Sequence, residues 1–467
     1  MEILLSEHIE LTCCPFLDNS RFQSEKYENV NIAKFPVKRG FQSCYELVIS
    51  ESKLSLKANY YIGVDWLLEG EHFIQVKPKL NKEVLNRFNA ELNKELNAME
   101  SGSENESDLK PNDEKDGLKE LNYLKLLMDV FKHPVISKET SNLILINWEA
   151  KQIEINQKDD ALTPFLVVQF LNLLKQIVRK GLKKSYFKVQ ENLNNRVKGK
   201  ILVGSNIKQN VLKNRLTKTY CEYQEFGINH QENQFLKKVL YYCSNYVHQH
   251  IGLFAGNKAS LMQLINYCKP AFEMVSDEIE ITALKNIKHN PFFKQYKEAI
   301  KIGHYILRRF AYNISNTAKS EKIKTPPFWI DMPKLFELYV YHHLLTAFNQ
   351  SEIKFQFSTY GNSLDFLVTK EKHEMVVDAK YKMHYRSSHI HQDIRQVAGY
   401  ARLNTVYTAL GKTKTQNDLI DCLIIYPTDK ELTDDYRFEC VLDEEFKIKA
   451  YNRVFKIGIP MPYIKND

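Results

Sequence analysis

Two acids and one amine near the C-terminal end have the types and the spacing of a centre that cleaves phosphodiesters. Asp365 leads an apolar run in SLDFLVT, and Asp378 and Lys380 stand two apart in MVVDAKYK. Side chains alternate along a strand, so Asp378 and Lys380 share one face and Ala379 points to the other. Asp365 on a neighbouring strand brings a second carboxylate to that face. Paired carboxylates suit Mg2+, a hard ion that makes water more acidic and offsets charge at a reacting phosphate. Lys380 adds a compact charge that orients the attacking water, and the carboxylates beside it keep it protonated. Glu337, in KLFELYV upstream, is the further acid that would complete the coordination sphere.

These residues need elements to hold them. After Pro326 and Pro327 the pattern reads as helix (MPKLFELYVYHHLLTAF), two strands (SLDFLVT and EMVVDAKY), helix (DIRQVAGYARLN) and two strands (DCLIIYP and FKIGIPM). That order predicts an α/β domain around a mixed sheet over residues 321–467. Residues 1–162 favour strands: KLSLKANYYIGV and HFIQVKPKL alternate, with Gly63, Gly70 and Pro78 as breaks. This β-rich module is expected to dock a partner. Within it, residues 97–117 hold seven acids, two lysines and little to bury, which predicts a solvated linker or long loop. Residues 163–320 read as mainly helical, beginning with Thr163 as N-cap, Pro164 in the first turn and Gly181 as the stop. The fold class is therefore α+β and multidomain.

Composition excludes some classes and leaves others open. The 467 residues carry 65 Lys+Arg against 57 Asp+Glu, a net charge of +8, which permits nucleic-acid binding without requiring it. The eight cysteines are scattered and form no CxxC, which argues for reduced thiols and against a zinc site. No apolar run is long enough to span a bilayer and the N-terminus is acidic, so the expectation is a cytoplasmic protein with no membrane partner. Gly411-Lys412-Thr413 ends like a phosphate loop, but Val406 stands at the first glycine position, so no nucleotide site is expected.

The acids and lysine resemble the PD-(D/E)xK nuclease superfamily, with Asp365 as first acid and Asp378-Ala379-Lys380 as the D-x-K element. Leu364 replaces the leading proline. Gln396-Val-Ala-Gly-Tyr400 is similar to the QxxxY helix motif of RecB-like and Cas4-like members. In that setting Gln396 and Tyr400, four apart on one helical face, would orient the lysine or a DNA phosphate. The resemblance extends to the McrC family through Lys334-Leu-Phe-Glu337, Asp378-Ala-Lys-Tyr-Lys382, YYIGVDWLLEGEHFIQVKPKL (60–80), GLKKSY (181–186), ENLNNRVKGKI (191–201), and Cys221-Glu-Tyr followed by Asn233. Residues 97–117 have no counterpart, and the first forty residues match poorly.

This resemblance implies a restriction-endonuclease-like C-terminal domain and a nuclease subunit of a McrBC-type, modification-dependent restriction system. Asp365, Asp378, Glu337 and the Ala379 carbonyl would hold Mg2+. The partners would be double-stranded DNA and a separate McrB-like AAA+ GTPase, which binds the GTP and whose hydrolysis this chain would stimulate; a dimer within the complex is allowed. Lys382, Arg386, Arg395 and Arg402 flank the centre as a DNA-backbone track, against the plainer reading of a solvated face. His384, His389 and His391 are read as solvated or phosphate-near loop residues, since imidazole is a poor ligand for Mg2+. The plain alternatives are a solvated Glu337 and a core-packing Tyr400. Two rival functions suit the same motifs: a stand-alone RecB- or Cas4-like DNA repair nuclease, and a non-cleaving adaptor that only stimulates a GTPase.

Overall fold

The computed structural model describes residues 2–7, 10–12, 31–37, 40–50, 53–81, 118–133, 135–254, 257–276, 293–313, 322–359, 362–381, 387–412, 419–432, 438, 442–443, 446–448 and 450–464. The acidic segment 97–117 lies outside them. By internal contacts the chain divides into two units, one of residues 1–162 with 320–467 and one of residues 163–319.

The first unit opens with a five-stranded sheet. Its strands are β1 (Glu2–Ser6), β2 (Tyr61–Leu68), β3 (His72–Lys77), β4 (Ile144–Ile146) and β5 (Phe328–Asp331), in the order β1-β3-β2-β5-β4. Only β1 and β3 run parallel. β5 lies past the boundary expected at residue 321, yet it sits inside the N-terminal sheet. Phe328, Trp329 and Ile330 are all buried, and β5 lies in the sheet interior with its edges paired to β2 and β4. Next to it, Lys322–Thr325 pairs antiparallel with Ile153–Asn156. Gly63 is required where β2 meets β5, because a Cβ there would lie 2.0 Å from the Phe328 carbonyl oxygen.

β5 runs directly into α2 (Met332–Ala347), which follows α1 (Tyr123–Val130) in the chain. Asp331 ends the strand and caps the helix, its Oδ1 accepting from the Lys334 amide at 2.9 Å, and Pro333 occupies the first turn. A second five-stranded sheet follows in chain order: β6 (Ile353–Thr359), β7 (Asn362–Val368), β8 (Met375–Ala379), β9 (Asp421–Glu431) and β10 (Val454–Met461). The first two pairings are antiparallel and the last two parallel. α3 (Ser387–Ala401) makes the crossover between β8 and β9. Tyr341 of α2 stacks on Phe355 at 4.8 Å beside Phe366 on one face, whereas Ile394, Val397 and Ala401 of α3 pack with Leu367, Val376 and Ile424 on the other. Both helices and the four strands read from the sequence are present in that order, but β6 stands before β7 as a further strand the sequence pattern did not suggest, so three strands rather than two lie between α2 and α3.

The second unit buries Phe165, Phe170, Phe235 and Val239 among the helices Leu162–Lys180, Gln231–Gln249, Lys258–Cys268 and Lys294–Asn313. It is not helical throughout. Ser185–Asn194, Lys218–Gly227 and Lys200–Ile201 form a three-stranded antiparallel sheet within the stretch read as mainly helical. Its strands bury few residues, so no apolar stripe marks them in the sequence. The first helix also begins differently: Asp160 Oδ1 accepts from the Leu162 amide at 3.1 Å, while the Thr163 hydroxyl accepts from buried Arg309 at 2.7 Å. Gly181, at φ +88°, ends that helix as expected. Asn233 belongs to a polar knot, donating to the carbonyl of Lys183 at 3.0 Å and accepting from the Tyr296 hydroxyl at 2.8 Å. No described helix is long and apolar enough to cross a membrane.

Candidate active site

Ladder register brings the two aspartates together. Leu367 pairs with Val376 and Phe366 with Val377, so the next step sets Asp365 of β7 opposite Asp378 of β8. Asp365 Oδ2 accepts from the Ala379 amide at 2.9 Å. Asp378 is 2% exposed, and Lys380 Nζ stands 2.8 Å from its Oδ2, which places the pair on one face as strand alternation requires. The Lys380 amide donates to the Ile425 carbonyl at 2.9 Å and so ties the strand end to β9.

The local electrostatics follow from this packing. Burial drives the Asp365 carboxyl well above the ordinary carboxylate range, and the charges of Asp378 and Glu337 push it further; Lys380 and the Ala379 amide only partly oppose them. Burial by itself would lower the Lys380 ammonium, but Asp378 and Asp365 outweigh that and raise it. Lys380 is therefore held as a cation beside an excess of acid.

α3 supplies the next link. Lys380 Nζ donates to Gln396 Oε1 at 3.0 Å, and Gln396 Nε2 donates to the Tyr400 hydroxyl at 2.8 Å. Tyr400 also packs against the core cluster, so its ring and its hydroxyl have separate partners. Buried Asp393, one helical turn before Gln396, adds negative charge near Lys380. Its place in the sequence gives no sign of this, because a single acid on an amphipathic helix carries no signal.

Glu337 reaches the acids from α2. Lys334 Nζ holds its Oε2 at 2.9 Å, and Gln356 Nε2 of β6 donates to its Oε1 at 3.2 Å. Lys334 was legible as the i, i+3 partner in KLFE, but Gln356 has no local sequence signal. Arg395 and Arg402 are exposed on α3 and just past its end, with Arg402 reaching the Tyr407 hydroxyl at 3.4 Å. Lys382, Arg386 and His384 lie outside the described residues, as does the side chain of His389. His391 is in α3 rather than in the loop expected for it, with Nδ1 3.1 Å from the Tyr451 hydroxyl.

Among the described residues no three His, Cys, Asp or Glu side chains form a ready-made metal cluster. The donor chemistry nonetheless fits a hard divalent cation. All the candidate donors are oxygens, and repulsion from Asp378 and Glu337 at Asp365 is what a bound cation would relieve. Asp365 and Asp378 are the readier donors, since both oxygens of Glu337 are engaged.

Residues 56–427 match the family model described as McrBC 5-methylcytosine restriction system component. The chain belongs to the McrBC family. No curated protein matches it. Solved structures similar to this McrBC-family chain include two from Thermococcus gammatolerans. One is a refined half-complex from a tetradecameric assembly of McrB AAA+ hexamers with bound McrC, at 15% identity and TM-score 0.38, covering 99% of this chain and 95% of that one. The other is a cryo-EM structure of the McrBC complex, at 13% identity and TM-score 0.29, covering 74% and 87%.

Proposed function

We propose that this chain is the McrC-like, DNA-cutting half of a two-part restriction system. It would be a Mg2+-dependent endonuclease for double-stranded DNA that works with a separate AAA+ GTPase and stimulates its GTP hydrolysis. The observation that carries this reading is the Asp378–Lys380 ion pair, with Asp365 across the ladder and Gln396 on the amine. Membership of a restriction-system family supports the substrate class and the partner.

Asp365, Asp378 and the Ala379 carbonyl would hold the ion, with Glu337 beyond them. Bound there, Mg2+ supplies Lewis acidity and positive charge at the scissile phosphate. Lys380 orients the attacking water in line and offsets charge growing on the phosphoryl oxygens. Gln396 keeps the ammonium in place, and Tyr400 fixes Gln396 in turn. Arg395 and Arg402 follow the DNA backbone, and binding weakens as salt rises.

The test pairs the chain with its GTPase, GTP and methylated plasmid. Asp378→Ala removes a carboxylate from the reacting centre, so cleavage should fall by a factor of about a thousand or more while GTPase stimulation persists. Full cutting by that variant would end the assignment.

A further inference from the structure

Gln356 holds a backbone conformation that a side chain other than glycine adopts at a cost. Its φ is +46° in the middle of β6. The ladder to β7 breaks at that residue: Phe355 pairs with Phe366 and Phe357 with Leu364, while Gln356, which would face Asp365, makes no pair. Register resumes unshifted on the far side, so no inserted residue and no turn accounts for the distortion. The strand itself gains nothing from it. Conformations of this kind persist where surrounding groups hold them, and they gather at functional sites.

The side chain shows what is gained. Gln356 Nε2 donates to Glu337 Oε1 at 3.2 Å, and Lys334 Nζ holds the other oxygen at 2.9 Å. One carboxylate is thus gripped at both oxygens, from its own helix and from the strand position facing Asp365. Glu337 in turn is close enough to push the Asp365 carboxyl upward.

We propose that Gln356 is a positioning residue, bent out of the ladder so that its amide keeps the Glu337 carboxylate at the acid cluster and tightens that cluster's grip on a divalent cation. The proposal rests on the nuclease reading above. Titrating the full-length chain with Mn2+ by calorimetry, without DNA or GTPase, tests it together with the thermal midpoint of the metal-free protein. Gln356→Gly accepts the same φ and removes the amide; Gln356→Asn tolerates the φ but is one methylene short. Both should weaken Mn2+ binding by about tenfold and leave the metal-free Tm equal or higher. Parent-like Mn2+ affinity in both variants overturns the proposal. A lower metal-free Tm for Gln356→Gly also overturns it, because the residue would then serve packing. Asp378→Ala separates the two levels: parent-like Mn2+ binding by that variant removes the metal centre itself, whatever Gln356 does.

Discussion

At the scale of single residues, burial decides which side chains are chemically unusual. Glu7, 4% exposed, accepts from the Tyr381 hydroxyl at 2.9 Å, and Tyr381 directly follows Lys380 in the chain. Burial raises the Glu7 carboxyl from 4.5 to about 8, with the Tyr381 hydrogen bond only partly opposing. Because the folded value lies above the unfolded one, the stabilisation is fully present below pH 4.5 and is lost as pH rises toward 8. Glu7→Gln keeps an acceptor but carries no charge. Across that window the variant should gain on the parent by about 1.4 kcal/mol per pH unit, read from denaturant midpoints at several pH values. A difference that stays constant from pH 5 to 8 would show that Glu7 remains ionised when buried.

At the scale of elements, the site depends on one uninterrupted run: β5, its Asp331 cap, and α2 carrying Lys334 and Glu337. β5 lies in a sheet made otherwise from residues before 150, so the N-terminal strands set the position of the site helix. The tightest point of that dependence is Gly63, paired with Trp329. Gly63→Ala drives a methyl into the Phe328 carbonyl and should cost about 3 kcal/mol, seen as a lowered Tm. An unchanged Tm would mean that β2 and β5 can separate without loss. This dependence was hidden in the sequence, because residues 322–331 read most simply as the entry to the C-terminal domain.

At the scale of the whole molecule, the question is where a GTPase would dock. From the sequence, docking is expected at the N-terminal module. The small sheet of the second unit and the turns beside it also expose apolar side chains, with Leu212 75% and Leu216 76% exposed, as are Val203 and Val211. Side chains this exposed contribute little to folding, so Leu212→Asp with Leu216→Asp should change stability by no more than about 0.5 kcal/mol. The same pair should cut GTPase stimulation by about tenfold or more if this surface meets the ring. Stimulation equal to the parent's would return the docking role to another face.

What the sequence determined by itself was local. Strand alternation put Asp378 and Lys380 on one face, and helical spacing put Gln396 four residues from Tyr400, because both periodicities are properties of the backbone. Four of the five strands of the C-terminal sheet were legible as mostly apolar runs, whereas β6, in which Lys354, Gln356 and Ser358 alternate with Ile353, Phe355 and Phe357, was not read as a strand. Tertiary structure decided the rest. Ladder register set Asp365 opposite Asp378, a strand from beyond residue 321 completed the N-terminal sheet, and Gln356 met Glu337 across nineteen residues of chain. Those pairings come from packing between segments distant in sequence, and no periodicity within a segment records which other segment it will face.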